Sequence, residues 1–246
     1  MSANEEFIIQ DIVVLIKAAL KLLARDRIIN WLNSPKAAAK RIYELYNFDR
    51  TYREDIWEII SLKSNPNLRT KYGKTVKEFT RSIEIAKQLC KEYEGNILGI
   101  RSVKPYFHCY SIPETKENGV IHRVYFNPNP IKLHEVIEVI INSFLEYSKV
   151  GLVNSDFKFW STASINTIAR CDKVVLYTNT NFFKFIKSKF RIIEGVMNDD
   201  VPRLTIKLAK GIGYSRDPSE ENIEWLQQKE ASFGEFICLV INYYID

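Results

Sequence analysis

The chain has 246 residues, 46% of them hydrophobic and 26% charged, with a formal net charge of +5. That length fits one large domain or two small ones with apolar content enough for a packed core, and the cations, spread from Lys17 to Lys229 without a clustered tract, argue against a nucleic-acid partner. The longest apolar stretch, Phe7 to Leu23, is broken by Gln10, Asp11, Lys17 and Lys21, short of the ~20 apolar residues that span a bilayer, so no membrane partner and a cytoplasmic location are expected.

The first part reads as helical. Apolar residues recur at helical spacing at Ile8, Ile12, Ile16, Ala19 and Leu23, and again at Val76, Phe79, Ile83, Ala86 and Cys90, with charged residues on the outer face. Ser34-Pro35 reads as a helix start, and Ser64-Asn-Pro-Asn67 and Lys71-Tyr-Gly-Lys74 as turns. The pattern changes near Ile100: residues 105–112 and 120–126 are rich in aromatic and β-branched residues and flank a turn-prone segment, 113–119, as a hairpin would. Further along, the spacing predicts a helix over 131–147, a strand at 156–160, a helix at 161–170, a strand at 173–177 and a helix at 182–190. An extended segment at 204–208 and a helix at 219–229, capped by Ser219, follow. The expectation is an α+β protein: a helical N-terminal region over 1–98, then a mixed α/β domain over 99–246 with a mainly antiparallel sheet flanked by helices.

Cys90, Cys109, Cys171 and Cys238 are scattered, each in an apolar context; this fits buried free thiols better than a disulfide framework or a zinc site. His108, His122 and His134 show no metal-ligand spacing. No metal and no cofactor are expected.

A set of short motifs runs in order through the second half: Arg123-Val-Tyr-Phe-Asn127, Phe157-Lys-Phe-Trp160, Arg170-Cys-Asp172, Val175-Leu-Tyr177, Gly211-Ile-Gly213, Asp217-Pro218 and Ser232-Phe-Gly-Glu-Phe-Ile-Cys238. Taken in order over residues 100–246, they resemble the HopA type III effector family, whose relatives include the lyase component of class V lanthipeptide synthetases. The order of elements is also similar, more distantly, to the phosphothreonine lyase effectors. The resemblance implies elimination of phosphate from phosphothreonine or phosphoserine in a peptide or protein, with kinase or cyclase partner subunits, and a bacterial setting in which secretion is a second fate beside the cytoplasm. The alternative it leaves open is a catalytically inactive peptide-binding or scaffold subunit.

Such an elimination needs a base for the Cα proton, an acid for the departing oxygen and fixed cations on the phosphate. By resemblance Lys158 is the candidate base, Tyr125 or His122 the candidate acid, and Arg123, Arg170, Arg216, Lys207 and Lys210 the candidate phosphate-binding set. A lysine acts as a base only when neutral, which burial among cations favours by pulling its pKa down from about 10.4. Strand alternation puts Phe157 and Phe159 on one face and Lys158 with Trp160 on the other. Bland alternatives stand beside these assignments: Lys158 as a solvated surface group on a half-exposed strand, Arg123 and Arg170 as partners of carboxylates such as Asp172 or Glu135, Tyr125 and His108 as core residues, and Gly211-Ile-Gly213 as a tight turn. Trp160, Ile206 and Ile237 stand where the family usually carries cations, and each missing charge-assisted bond is worth ~1.5–3 kcal/mol.

Overall fold

The computed structural model describes residues 47–60, 65–113, 122–203 and 205–216. The expected helix start at Ser34-Pro35, residues 114–119 of the expected turn, the helix at 219–229, Cys238 and Ile237 lie outside them. A 3-10 turn at Arg50–Tyr52 and a short helix α1 (Ile56–Ile60) lead to the long helix α2 (Pro66–Glu92). Asn65 caps α2 by accepting from the Asn67 N–H at 2.9 Å, with Pro66 in the first turn, where its missing N–H costs nothing. Phe79, Ile83, Ala86 and Cys90 form the buried stripe of α2 that the spacing predicts. The turn expected at Lys71-Tyr-Gly-Lys74 is instead the interior of α2. Lys71 Nζ and the Tyr72 hydroxyl both donate to the Asp55 carboxylate, at 2.6 and 2.5 Å, and with Leu68 and Phe79 buried on either side this outweighs the ~1 kcal/mol cost of Gly73 within a helix.

Seven strands follow among the described residues: β1 (Leu98–Val103), β2 (Tyr106–Ser111), β3 (His122–Phe126), β4 (Ser155–Trp160), β5 (Val174–Thr178), β6 (Ile206–Ala209) and β7 (Ile212–Arg216). They form one sheet in the order β1-β2-β4-β5-β3-β7-β6, every neighbouring pair antiparallel. The hairpin expected between 105–112 and 120–126 does not form. β2 is paired on its two sides by β1 and β4, and β3 by β5 and β7, so neither has an edge left for the other. β1 and β7 are not marked by the periodicity, whereas Gly211-Ile-Gly213 proves to be a turn opening into β7. Gly211 sits at φ +63°, and a Cβ there would collide with the Asn198 carbonyl oxygen. Gly211→Ala is therefore expected to lose at least about 1–3 kcal/mol, readable as a lowered urea midpoint; an unchanged midpoint would show that the turn relaxes.

Helices α3 (Leu133–Tyr147), α4 (Ile165–Ile168), α5 (Thr180–Lys187) and α6 (Phe190–Ile193), with 3-10 turns at Pro130–Lys132 and Glu194–Val196, complete the elements among the described residues. The expected helix at 161–170 contracts to α4, opened by a capping box between Ser164 and Thr167. One face of the sheet is packed against helices. Phe144 of α3 meets Phe157 of β4 and Phe182 of α5 edge-on, at 5.8 and 5.2 Å between ring centroids, and Phe126 meets Phe190 at 5.9 Å. Full burial of each such ring contributes about 1.5–3 kcal/mol. The core runs continuously from Phe48 through α2 to Ile212. Cys90, Cys109 and Cys171 are buried free thiols within the fold, as the sequence leads one to expect. No helix among the described residues is long and apolar enough to cross a membrane.

Candidate functional site

Side chains alternate along a strand, so the strands that bury Phe107, Phe157 and Val124 on the helix side turn a different set to the second face. Cross-strand register places His108, Lys158, Val175 and Tyr125 in one line across that face, and Asp156, Tyr177 and Arg123 in the next. A cavity of about 300 Å³ lies over them, lined by Val103, Tyr106, His108, Arg123, Asp156, Lys158 and Tyr177. Lys158 Nζ sits 4.5 Å from the Tyr106 ring centroid and 5.3 Å from that of Tyr177, and the Arg123 guanidinium is 4.7 Å from the Tyr177 ring. Ring quadrupoles attract cations in this range, so Tyr177 helps to hold two positive groups side by side. Tyr106 is backed by Trp160 at 4.6 Å.

His108 is the residue that sequence reasoning passes over. It is half-buried rather than core, it is the direct cross-strand partner of Lys158, and its Nε2 lies 2.9 Å from Asp156 Oδ2. The signal for it is the alternation in Tyr106-Phe-His-Cys-Tyr110, which puts His108 on the face of Tyr106 and away from Phe107.

The other candidates divide. Tyr125 shares the second face but is separated from Lys158 by Val175. It is 5% exposed, lies 3.2 Å from the Ser215 hydroxyl, and burial pushes its hydroxyl up to about 12. His122 and Arg216 are cross-strand partners on the helix-packed face, so the structure does not bring them to Lys158. His122 is bound through Nδ1 to the Tyr214 hydroxyl at 2.8 Å and through Nε2 to the Thr180 hydroxyl at 2.9 Å, and stacks on Phe183 at 5.0 Å. Burial, then the charge of Arg216, holds its pKa below the ordinary histidine value, which favours the neutral ring. Arg216 Nε donates to the Tyr214 hydroxyl at 3.0 Å. Lys207 donates to the Asp199 carbonyl at 2.9 Å, and Lys210 lies 3.6 Å from the Asp199 carboxylate. Lys210 lines a different cavity, of about 370 Å³, with Lys132, Asn198 and Asp199.

Arg170 approaches the second face but does not line the cavity. Its guanidinium lies 5.1 Å from the Trp160 ring and makes two parallel bonds of 2.7 Å to the Asp172 carboxylate, which takes up two of the five guanidinium N–H donors. Thus the bland alternative for Arg170, a carboxylate partner, is what the geometry gives. The last position of the Arg-x-Tyr-x-Asn stretch, Asn127, belongs to a buried network beneath. Lys173 is fully buried and donates to Asn127 Oδ1 and to the Arg170 carbonyl, both at 2.5 Å. Asn127 Nδ2 donates to Asp49 Oδ2 at 2.9 Å. Burial lowers the pKa of Lys173 against the opposing pull of Asp49. Burial alone would raise the Asp49 carboxyl, but Lys173 and the donors of Asn127 and Thr51 outweigh it and leave it lowered.

Trp160 supports Tyr106 and takes Arg170, whereas Ile206 is 51% exposed on β6. Neither side chain carries a charge. Among the described residues no group of three His, Cys, Asp or Glu side chains is placed to hold a metal ion.

No family model matches the chain, and no curated protein matches its sequence. Solved structures do. An effector protein from Pseudomonas syringae pv. tomato strain DC3000 is similar with a TM-score of 0.48 at 12% identity, over 98% of this chain and 95% of that one. An effector protein from Pseudomonas syringae pv. syringae strain 61 is similar with a TM-score of 0.51, again at 12% identity, over 96% of this chain and 93% of that one. At such identity the likeness concerns the fold, and the chain shares that of the strain 61 effector protein.

Proposed function

We propose that the chain is a HopA-like carbon–oxygen lyase that removes phosphate from phosphothreonine or phosphoserine in a peptide and leaves a dehydroamino acid. The observation that carries this reading is one cavity lined by a lysine, an arginine and a carboxylate-bound histidine, with aromatic walls around the lysine. In this reading Arg123 grips the phosphate, for which its planar fork is suited. Lys158 acts from its deprotonated form, which the charge of Arg123 across the Tyr177 ring favours and the attraction of the rings for a cation opposes; its lone pair takes the Cα proton, and the electrons of the Cα–H bond form the Cα=Cβ double bond. The Cβ–O bond breaks, its electron pair goes to the phosphate oxygen, and that oxygen receives a proton from His108. His108 replaces Tyr125 and His122 as the acid because it is the histidine in the cavity. The substrate must come from a reaction that phosphorylates a serine or threonine hydroxyl, so a kinase partner fits the role. Secretion as an effector is a fate that agrees with the shared fold.

A second reading, a scaffold that holds a peptide without turnover, is favoured by Trp160 at a usually cationic position and by the commitment of Arg170 to Asp172. Incubation with a phosphothreonine peptide, followed by mass spectrometry, separates the two. Loss of the mass of phosphoric acid is the expected result; peptide binding without mass loss would replace the lyase by the scaffold.

A further inference from the structure

We propose that Asp156 is a positioning residue of this site: it fixes the tautomer and direction of His108 so that the other ring nitrogen, Nδ1, addresses the departing phosphate oxygen. The inference rests on the lyase reading. Its starting point is a carboxylate in the wrong place. A cavity that holds phosphate against Arg123 and Lys158 is weakened by a fixed negative charge on its wall, yet Asp156 lines this one beside both cations. Its role is legible from its contact, because Asp156 Oδ2 lies 2.9 Å from His108 Nε2. An ionised carboxylate only accepts hydrogen bonds, so the bonded nitrogen is the one that carries hydrogen, and in the neutral ring Nδ1 is the nitrogen left to bind and pass on a proton. A carboxylate behind a working imidazole orients it and selects its tautomer, and its amide replacement installs the wrong one.

The backbone supports this placement. His108 pairs across the sheet with Lys158, and Asp156 with Tyr110, so Asp156 meets His108 on the diagonal of the same face, two residues before Lys158 on β4. Orienter, acid and base are thus set by one strand pair, β2 and β4, and none of the three stands on a loop. During turnover the proton that leaves Nδ1 goes to the phosphate oxygen; afterwards Lys158 gives the Cα proton to water and the ring regains one from water.

The test is a split between binding and turnover on a phosphothreonine peptide, measured for the wild type and for Asp156→Asn, Asp156→Glu, His108→Ala and the double variant Asp156→Asn/His108→Ala. Asp156→Asn removes a negative charge from an anion site, so KM is expected to fall, whereas kcat is expected to fall about 10- to 100-fold, less than the 10²–10⁴-fold that loss of an acid costs. Asp156→Glu should regain part of kcat, and the double variant should be no slower than His108→Ala alone, because the carboxylate acts through the ring. In Asp156→Asn the ¹⁵N shifts of His108 should also move towards the other tautomer. A merely structural role would lower stability and leave the KM and kcat split absent. Wild-type kcat retained in Asp156→Asn, or additive losses in the double variant, would overturn the inference while leaving the lyase reading intact. Absence of turnover in the wild type would remove both.

Discussion

Lys158→Ala is expected to reduce elimination of phosphate from a phosphothreonine peptide by about 10²–10⁴-fold, the contribution of a positioned proton-transfer group, while the protein stays folded. The side chain rests on Tyr106 and Tyr177 at 4.5 and 5.3 Å, contacts worth about 0.5–1 kcal/mol each at an exposed site, and its flanking residues Phe157 and Phe159 bury the opposite face of β4. A second replacement distinguishes proton abstraction from charge alone. Lys158→Arg keeps a cation over the two rings, but a guanidinium is never deprotonated under these conditions, so peptide binding should persist while turnover is lost. Mass spectrometry of the peptide and a thermal melt of each variant make the check. Turnover in Lys158→Arg close to that of the wild type would mean that Lys158 serves the phosphate electrostatically and that the base lies elsewhere.

How far the site could be read from the chain depends on which physical rule each residue obeys. The alternation in Phe157-Lys-Phe-Trp160 places Lys158 opposite its phenylalanines, and the structure has it so. The same rule, applied to His122-Arg-Val-Tyr125, puts His122 on the face away from Arg123 and Tyr125; that consequence is available from sequence alone and separates two residues grouped by resemblance. What the rule lacks is register. Nothing local tells that β4 and β5 come between β2 and β3, or that β7 sets Arg216 beside His122. His108 is hidden for that reason: its carboxylate partner is 48 residues away, and a histidine between a phenylalanine and a cysteine on a strand reads equally well with either face inward. The helices were legible where an apolar stripe was long, as in α2 and α3, and misread where tertiary bonds to Asp55 carried α2 through a glycine. Two motif residues, Asn127 and Arg170, are meaningful in another sense, since their bonds build the support under the face rather than its chemistry.

That support gives the largest expected effect on stability. Asp49→Ala leaves the fully buried Lys173 ammonium without its balancing carboxylate and Asn127 Nδ2 without one of its two acceptors. Asp49 and Lys173 act on each other through Asn127, which bridges them; a buried polar group left unsatisfied costs about 1–3 kcal/mol, and more where a charge also loses its counter-charge, a large part of a domain's total stability. Asp49→Asn, which keeps an amide oxygen for Asn127, should cost less. The pH dependence has two parts of definite sign. Asp49 has a lowered folded pKa, so its contribution is complete above its unfolded value of about 3.9 and is lost as pH falls through the folded value; the acid limb of wild-type stability should be flatter in Asp49→Ala. Lys173 is also lowered, by burial, with Asp49 opposing. Between its folded value and the unfolded value of about 10.4 the unfolded chain binds one more proton, so raising the pH favours the folded state there. Loss of Asp49 removes the opposing pull and extends that window downward. Asp49→Ala should therefore recover stability relative to the wild type as pH rises through the interval between the variant's folded Lys173 value and the wild type's, by up to about 1.4 kcal/mol per pH unit. Urea midpoints taken from neutral pH up to the unfolded value of about 10.4 read this directly. An equal deficit throughout would show that Lys173 stays charged without Asp49, held by Asn127 and the Arg170 carbonyl alone.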